Sequence, residues 1–541
     1  MECVEALVRH GADVNTVDTN GRTALHLACM HLQIMRSFVE KCAVVLVSKG
    51  ARLDLKDSMG KTAKEALQEI GIDLQSSCPA QVGNAVAQTE CKIAPYKSPR
   101  HHDSIQTLIT ASSGVKVIDK YRFLVKSPIG LGTFGSIYVA IKKELPAECS
   151  RSKTILCRVT ALKRIEKARI SPQMIEQEIK TLLSISTACP NIVTYHETIS
   201  DDTFYYISLE LMEGDLEHFI NDERMKKKVH KNPALIVKAA NDLISALEFL
   251  HKKRFIHRDL KPGNVMYTFD PSFKFLIADF GLAKNTSTFS TMTSIKGSGA
   301  MAPGTRGWMA PELVSLQSKE HSERTDVFAL GLVLHYLLTM GKHPFVCPTE
   351  EQALHVIEKN IEDMKMFIHE SLSKEAKHFT QAILVKKSQS RPPVDKLYRH
   401  SFLWSDEKKI KFLMAVGDQV EAVNPSKRPN SALENCLQLT DVGIEVGKHS
   451  WDLQIPDLYH EMTTAWTRKK YRTNTLIDLV RFIRNAGHHK GTYSNEFKEK
   501  LEKNIFLQKF PSLVFEIFEV LQNKGFLISR PDLLKVIVDE R

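Results

Sequence analysis

A set of charged and amide side chains in the middle of the chain has the chemical types that phosphoryl transfer requires. The set comprises Lys163 in "TALKRI", Glu178 in "QEIKTLL", Asp259, Lys261 and Asn264 in "HRDLKPGN", and Asp279 in "DFG". Phosphoryl transfer needs cations on the phosphates, oxygen ligands for magnesium and a carboxylate beside the attacking hydroxyl. The set therefore predicts a site that moves a phosphoryl group.

A glycine-rich stretch precedes this set, because "IGLGTFGSIYVA" places Gly130, Gly132 and Gly135 between apolar residues. Taken alone, the spacing also fits a dinucleotide-binding fingerprint or a flexible hairpin. The order of motifs that follows, ending with "APE" at Glu312, resembles that of a protein kinase. On that resemblance, the glycines let the loop backbone close over the phosphates of ATP.

The kinase resemblance also implies a role for each charged or amide residue. Lys163 would hold the α- and β-phosphates and would itself be held by Glu178. Asn264 and Asp279 would carry Mg²⁺. ATP and Mg²⁺ are therefore the cofactors that we expect at this site.

Two residues of "HRDLKPGN" carry the implied chemistry of transfer. Asp259 would accept the proton of the substrate hydroxyl, and Lys261 resembles the lysine that faces the γ-phosphate in serine/threonine kinases. The alternative is a pseudokinase, in which one of the essential groups is commonly lost. Because the sequence retains them all, we expect an active kinase.

Between Thr286 and Ser298 the chain is rich in hydroxyls, and a phosphate added there could pair with Arg258.

A second set of reactive side chains lies near the end of the chain, in "RFIRNAGHH". Helical spacing predicts a buried stripe of apolar residues, Leu476, Leu479, Val480 and Ile483, with Arg481, Arg484 and Asn485 off that stripe. Metal-free RNA cleavage needs a proton donor for the leaving oxygen and fixed donors on the phosphate. Histidine, arginine and asparagine supply these groups.

The stretch "KKYRTNTLIDLVRFIRNAGHH", with "LQKFPSLVFEIFEVL" after it, resembles the KEN ribonuclease domain. That domain follows the kinase in the unfolded-protein sensor kinase/endoribonucleases and in ribonuclease L. The resemblance places the family's catalytic groups on Tyr471, Arg484, Asn485 and His489. It implies RNA cleavage without a metal cofactor, with His489 as the general acid.

A repeated pattern opens the chain. "HGADVNTVDTNGRTALHLA" recurs 39 residues later as "KGARLDLKDSMGKTAKEAL", and both resemble ankyrin repeats. We expect a multidomain protein with partial ankyrin repeats over 1–75, incomplete at the N-terminus. A linker over 76–118, rich in Pro, Ser and Gln, would follow.

The remaining boundaries follow from the two sets of motifs. A bilobal α+β kinase domain is predicted over 119–404, a helical KEN domain over 405–525 and a tail over 526–541. Because "HSFLWSDEKK" leaves no linker between kinase and KEN segments, we expect the two to dock rigidly. Asn485 and His489 would share one helix face if the helix continues through Gly487.

Composition limits the class of protein. The formal charge of +11 suits RNA as a partner, although a mild basic excess is more often a solvated surface. Ten scattered cysteines without paired spacing favour a reduced, cytoplasmic location. Apolar runs are too short to span a membrane.

Two family patterns meet in this chain. The ankyrin start resembles ribonuclease L, whereas the intact kinase motifs resemble the stress sensor. A dual kinase and endoribonuclease that works as a homodimer or higher oligomer, with RNA and ATP or ADP as partners, is the leading interpretation. A 2′,5′-oligoadenylate is a candidate ligand, against which the partial repeats argue. The alternatives are a signalling kinase whose KEN-like segment only dimerises, and an ankyrin-kinase scaffold without catalysis.

Overall fold

In the computed structural model of the chain, two compact units are formed by Met1–Thr89 and Glu90–Arg541. The described residues are 14–30, 43, 46, 51–69, 91–93, 99–111, 113–132, 135–144, 155–170, 172–186, 188–269, 272–280, 284–285, 304–316, 318, 320–349, 353–424, 431–464 and 470–538. Within this part of the chain, no helix combines the length and the apolar character needed to cross a membrane.

The first unit repeats one local structure. Helices α1 (Ala24–Met30) and α2 (Ala63–Glu69) each follow a turn closed by an isolated bridge. The bridge joins Val17 to Thr23 in the first copy and Lys56 to Thr62 in the second. The backbone N–H of Ser58 donates to the carbonyl of Asn20, which ties one turn to the next. The sequence self-match therefore corresponds to a structural repeat.

The second unit begins with a short strand, a helix and a curled sheet. The elements are β1 (Cys91–Ile93), α3 (His102–Thr110), β2 (Val115–Ile118), β3 (Tyr121–Gly132), β4 (Gly135–Glu144), β5 (Ile155–Glu166), α4 (Pro172–Ile185), β6 (Tyr195–Ser200) and β7 (Phe204–Leu209). The strands lie in the order β2-β3-β4-β5-β7-β6, with β1 parallel to β5. The β3–β4 hairpin carries the glycine-rich stretch.

A helical lobe follows the sheet. Its elements are β8 (Gly214–Asp215), α5 (Leu216–Asn221), α6 (Glu223–Lys231), α7 (Ala234–Lys252), β9 (Phe255–Ile256), β10 (Val265–Thr268), β11 (Lys274–Ile277), β12 (Lys284–Asn285), α8 (Pro311–Val314), α9 (Glu323–Leu338), α10 (Leu354–Asp363) and α11 (Lys374–Ile383). Helices α7 and α9 run through its core. The fully buried side chains of Leu243, Leu247 and Leu330 exclude water there.

Ten helices form the described C-terminal part. They are α12 (Asp406–Gly417), α13 (Val420–Val423), α14 (Ala432–Gln438), α15 (Asp441–Lys448), α16 (Pro456–Thr464), α17 (Leu476–His488), α18 (Asn495–Glu502), α19 (Ile505–Lys509), α20 (Leu513–Asn523) and α21 (Pro531–Val538). Helix α17 lies at the centre and packs on α12, α14 and α15. Short 3₁₀ turns include Pro262–Asn264, Val394–Arg399, Ser401–Leu403, Trp451–Gln454 and Lys490–Thr492.

The junction between the kinase and C-terminal parts is continuous, as the sequence predicts. The hydroxyl of Ser405 caps α12 by accepting from the N–H of Lys408, only two residues after the last kinase 3₁₀ turn. Trp404 packs in the core of the C-terminal helices. Lys374 of α11 forms ion pairs with Asp441 and with the buried Glu516. These contacts join the two parts into one packed body.

Two predicted segments need correction. The segment 76–118 is not an irregular linker throughout, because β1, α3 and β2 lie inside it and α3 packs on the sheet. The tail after 525 contains α21, whose Leu533 and Ile537 belong to the C-terminal core. Among the described cysteines, Cys157 is disulfide-bonded, whereas Cys189, Cys347 and Cys436 are free.

Candidate nucleotide cleft and candidate nuclease site

The glycine-rich hairpin has a packing reason for one of its glycines. A Cβ on Gly135 would lie 1.9 Å from the carbonyl oxygen of Arg164, so the β4 backbone can approach β5 only without a side chain. A Cβ on Gly130 would meet only the far end of Ile137, at 3.9 Å. Gly132 pairs with Gly135 at the tip of the hairpin. The close packing of β4 on β5 therefore requires a glycine at position 135. Gly130, by contrast, leaves space open beside the cleft.

A cavity of about 370 Å³ lies below this hairpin, between the sheet and the helical lobe. Its wall includes Lys163, Lys261, Asn264 and Asp279, four of the residues that the sequence analysis assigned to nucleotide chemistry. The volume lies within the usual range for small-molecule sites. The fold thus brings these residues to one cleft.

Lys163 is buried on β5 and its ammonium lies 3.2 Å from Oδ1 of Asp279. The predicted partner Glu178 lies on α4, but its side chain is outside the described residues. That pairing therefore stays a prediction. The backbone of Asp279 has a φ of 61°, a left-handed conformation that is costly for a residue other than glycine.

The catalytic-loop residues form a closed network around Asp259. The amide nitrogen of Asn264 donates to Oδ2 of Asp259 at 3.0 Å, and the ammonium of Lys261 lies 2.9 Å from the same oxygen. The hydroxyl of Thr305 donates to Oδ1 of Asp259 at 2.6 Å and accepts from Lys261 at 2.7 Å. The carboxylate is thereby held in place for a hydroxyl substrate. Sequence reasoning missed Thr305, because nothing in "PGTRGW" distinguishes it from neighbouring hydroxyls.

A buried carboxylate supports this loop from behind. Asp326 on α9 accepts from the backbone N–H groups of His257 and Arg258 at 2.7 and 2.9 Å. Burial alone would raise the pKa of Asp326, but the hydrogen bond and charge of His251 hold the pKa below its usual range. The loop conformation, in which Arg258 has a φ of 72°, is fixed by these bonds.

The magnesium role that the resemblance implies fits the donor atoms. Asp279 supplies a carboxylate, and Asn264 uses its amide nitrogen on Asp259, which leaves the amide oxygen for a cation. Oxygen atoms are the ligands that Mg²⁺ prefers. When bound, the ion would neutralise phosphate charge at this end of the cleft.

The candidate nuclease residues lie on and beside α17. The side-chain amide of Asn485 donates to the hydroxyl of Tyr471 at 2.8 Å, and both residues are buried. Arg484 donates to the amide oxygen of Asn485 at 2.9 Å and to Asp418 at 2.6 Å. His489 ends the helix and is exposed. The fold therefore connects Tyr471, Asn485 and Arg484 directly, with His489 one turn further along.

Burial sets the protonation of Tyr471. The pKa of its phenol is raised above the ordinary value by burial, although the hydrogen bond from Asn485 opposes this shift. The hydroxyl therefore keeps its proton near neutral pH. Tyr471 can donate a hydrogen bond to a phosphate oxygen, and it is not a base.

The apolar stripe of α17 is buried as predicted, and Arg481 and Asn485, which were predicted to lie off that stripe, are buried as well. The guanidinium of Arg481 lies 4.6 Å from the centre of the Tyr471 ring and pairs with Asp478 at 2.9 Å. Asp478 is completely buried and also pairs with Arg472. Sequence reasoning missed Asp478, whose only signal is a carboxylate within an apolar helix.

Helix α17 continues through Gly487, and α12 crosses it closely there. A Cβ on Gly487 would lie 2.6 Å from the side chain of Met414, and one on Gly417 would lie 2.5 Å from the carbonyl of Val480. Two glycines thus permit the close approach. The backbone N–H of His489 still reaches the carbonyl of Asn485 at 3.0 Å.

Comparison with known proteins gives three family matches. The protein kinase domain matches 123–403, the family described as ribonuclease 2-5A matches 409–527, and ankyrin repeats match 1–64. The first covers more than half of the chain. The predicted order of ankyrin repeats, kinase and ribonuclease-type domain is confirmed.

Curated relatives carry both activities in their names. The chain is 26% identical over 466 residues to serine/threonine-protein kinase/endoribonuclease IRE1b of Arabidopsis thaliana, covering 79% of this chain and 50% of the relative. It is 27% identical over 388 residues to human serine/threonine-protein kinase/endoribonuclease IRE2, covering 68% and 39%.

A third relative is the sensor for unfolded proteins in the ER ire1 of Schizosaccharomyces pombe, at 26% identity over 376 residues, covering 63% and 34%. The chain spans half or less of the length of these relatives. With more than half of its residues matched by one family and the cleft in place, the chain belongs to the protein kinase family and carries a ribonuclease 2-5A-type domain directly after its kinase domain.

Proposed function

We propose that the protein is a dual enzyme, a serine/threonine protein kinase coupled to a metal-independent endoribonuclease. The observation that carries the proposal is the Tyr471–Asn485–Arg484 connection beside the exposed His489, on a domain packed against the helical lobe of the kinase. The names of the relatives support both activities.

The kinase half rests on charge placement in the cleft. Lys163 and Lys261 supply cations for the phosphates, whereas Asn264 and Asp279 supply oxygen ligands for a divalent cation. Asp259 accepts the proton of a serine or threonine hydroxyl as that oxygen attacks the γ-phosphate. The terminal phosphate–oxygen bond of ATP breaks and ADP leaves.

The ribonuclease half proceeds by internal transfer within RNA. The ribose 2′-oxygen attacks the adjacent phosphorus and the bond to the 5′-oxygen breaks, which leaves a 2′,3′-cyclic phosphate and a 5′-hydroxyl. His489 gives its proton to the departing 5′-oxygen, and water takes the proton of the 2′-hydroxyl. Tyr471 and Arg484 stabilise the negative oxygens on phosphorus.

Coupling follows from the packed junction. Because Lys374 and Trp404 join the kinase to the nuclease helices, nucleotide in the cleft can bias the arrangement of a pair of chains without phosphoryl transfer. We propose that the active form is a homodimer or higher oligomer in the cytoplasm. Its RNA substrates would belong to splicing or decay under stress, or to antiviral-type signalling.

One observation favours a second candidate, a kinase whose C-terminal helices only dimerise. The guanidinium of Arg484 already pairs with Asp418, so it must exchange this partner to reach RNA. A kinase-like scaffold is the remaining alternative. The match to the ribonuclease 2-5A family also makes a 2′,5′-oligoadenylate a ligand worth testing.

Incubation of the purified protein with radiolabelled ATP and a structured RNA, with Mg²⁺ or with excess chelator, separates these functions. The dual enzyme labels itself only with Mg²⁺ and yields cyclic-phosphate RNA ends in both conditions, the chelator arm using ADP bound without metal. Labelling without cleavage, even with ADP or 2′,5′-oligoadenylate present, selects the dimerising module. Neither activity selects the scaffold.

A further inference from the structure

The cleft has a wall that comes from outside the kinase lobes. Arg100 and His101 line the same cavity as Lys163 and Asp279, although they precede the first strand of the β2–β7 sheet. Helix α3 begins directly after them. The segment 99–111, here called the strap, therefore reaches the nucleotide cleft from the N-terminal side of the kinase domain.

The strap is anchored to the sheet by apolar packing. Ile105 and Leu108 of α3 are buried against Val159, Ala161 and Leu211. Ala161 and Leu211 also line the cleft. The apolar area that Ile105 and Leu108 remove from water favours this seating of the helix.

The strap also forms hydrogen bonds with the segment that joins β7 to β8, Glu210–Glu213. The imidazole Nε2 of His101 donates to the carbonyl of Met212 at 3.0 Å. Arg100 donates from its backbone N–H to the carboxylate of Glu213 at 3.1 Å and from its guanidinium to the carbonyl of Glu213 at 3.0 Å. A Cβ on Gly214 would lie 2.5 Å from that guanidinium, so the glycine admits it.

The cleft is polar at one end and apolar at the other. Lys163 and Asp279 mark the end that takes phosphates, whereas Ile129, Ala161 and Met212 lie in the part suited to a flat, apolar base. The strap contacts this second part. A volume of about 370 Å³ remains with the strap seated, so the strap forms a wall and does not fill the site.

We propose that His101 is a positioning residue of the nucleotide site, which fixes the Met212 backbone against the base of the bound nucleotide. The proposal rests on the proposed function only in that the cleft binds a nucleotide. Seating of the strap and binding of the base then favour each other, and by linkage each strengthens the other to the same extent. The segment that leads from the ankyrin unit along the chain is thereby part of the nucleotide site.

The full-length protein allows a matched test, because His101 is buried whereas the next residue, His102, is exposed. ADP binding is measured by titration calorimetry in the wild type, His101→Ala, His101→Gln and His102→Ala. Loss of one hydrogen bond from His101→Ala should weaken ADP binding about 3- to 10-fold. The amide donor of His101→Gln should restore part of the affinity, and His102→Ala should match the wild type.

Tripolyphosphate distinguishes the two ends of the cleft. It contacts only the phosphate end, so His101→Ala should leave its affinity unchanged while that for ADP falls. In autophosphorylation, the same variant should raise KM for ATP with kcat preserved. Equal weakening for both probes, or a loss of kcat alone, would show a general structural role and overturn the proposal.

Three further outcomes are decisive. If ADP binds more tightly to His101→Ala, the strap is a plug that competes with nucleotide, and the proposal is wrong. If the wild type binds ADP but all variants match it, this inference fails while the proposed function stands. No ADP binding by the wild type rejects the proposed function itself.

Should His101→Ala fail to fold, Arg100→Ala, which changes an exposed side chain, is measured against His102→Ala by the same criteria.

Discussion

The side-chain amide of Asn485 and the hydroxyl of Tyr471 form a buried hydrogen bond of 2.8 Å at the base of the candidate nuclease site. The amide N–H of Asn485 donates to a lone pair of the phenol oxygen. The proton of the phenol is therefore available to an acceptor other than Asn485. Because burial also keeps the phenol protonated, Tyr471 is a fixed donor.

Tyr471→Phe should reduce RNA cleavage about 100-fold, because one donor to the phosphate is lost. It should also destabilise the protein by about 1 to 3 kcal/mol, since the amide of Asn485 loses its acceptor. Cleavage rates and thermal unfolding measure the two effects. Tyr459→Phe, in the same aromatic cluster, is the matched control and should leave cleavage unchanged. Equal rates for the two variants would remove Tyr471 from the mechanism.

His489→Ala should lower RNA cleavage by about 10²- to 10⁴-fold, as expected for loss of a general acid, with autophosphorylation intact. The neighbouring His488→Ala is the matched control, because His488 is exposed like His489. The imidazole Nε2 of His488 lies 3.6 Å from Asp418. A cleavage assay with end-group analysis should find 2′,3′-cyclic phosphates in excess chelator. Products with a 3′-hydroxyl would mean a different chemistry.

Asp259→Asn should abolish autophosphorylation and keep ADP-stimulated RNA cleavage, because nucleotide occupancy requires no proton acceptor. Lys163→Ala should weaken the stimulation, since the phosphates lose a buried cation. The cleavage rate is measured against protein concentration with ADP and without nucleotide. If ADP has no effect and Asp259→Asn is inactive as a nuclease, phosphates between Thr286 and Ser298 become the better switch.

Gly417→Ala should destabilise the C-terminal helices by about 1 to 3 kcal/mol, because its Cβ would lie 2.5 Å from a backbone carbonyl. RNA cleavage should fall with it, since α12 supports α17. Gly491→Ala is the matched control, because a Cβ at this position would have no neighbouring atom within 4 Å among the described residues. Thermal unfolding monitored by circular dichroism checks both, and an unchanged Tm for Gly417→Ala would contradict the helix crossing.

The kinase–nuclease junction should weaken in acid. His400 accepts from the N–H of Phe402 at its Nδ1 and donates from Nε2 to Nδ1 of His378, whose own Nε2 faces Glu519 at 3.4 Å. Burial, with the charge of His378 and Lys409, lowers the pKa of His400 to about 3. As pH falls, His400 is therefore protonated in the unfolded chain before it is protonated in the folded protein.

The stability that depends on neutral His400 is present above its unfolded pKa, about 6.5, and is lost as pH falls toward 3. Between pH 7.5 and 5.5 the loss is on the order of 1 kcal/mol for this residue. His400→Phe should reduce the drop in Tm over that range, whereas the exposed His460→Ala should not. The buried His335 and the half-buried His343, each with a pKa of about 4, preserve part of the dependence of stability on pH. A drop unchanged by His400→Phe would exclude this origin.

Local sequence motifs predicted the parts of the chain in which the chemistry accepts only one or two types of side chain. The motif order predicted that Lys163, Asn264 and Asp279 meet at one site, and they line one cleft; their roles toward phosphate and Mg²⁺ stay predictions from the resemblance to kinases. On α17, periodicity identified the apolar stripe but did not show that polar residues are buried too, since a central helix has neighbours on every side. Arg481 and Asp478 are buried there by pairing with each other, a solution that an apolar pattern does not show.

The strap and Thr305 escaped prediction for another reason. Helix α3 buries only Ile105 and Leu108, too few apolar residues to stand out against a polar segment. Thr305 acquires its role when the chain returns to Asp259 from 46 residues away. Such long-range contacts depend on the tertiary fold and leave no trace in residue spacing.

Trp404 is the last residue of the predicted kinase segment, yet its indole fills the core of the nuclease helices against Phe412 and Phe518. Excision of the nuclease at Ser405 would therefore remove a piece of its interior, and excision of the kinase at Trp404 would leave that indole in water. Neither half can be exchanged for its counterpart from another protein by a cut at this boundary. The two domains therefore share one packed core at Trp404, and a substitution on either side of the junction changes the packing of both.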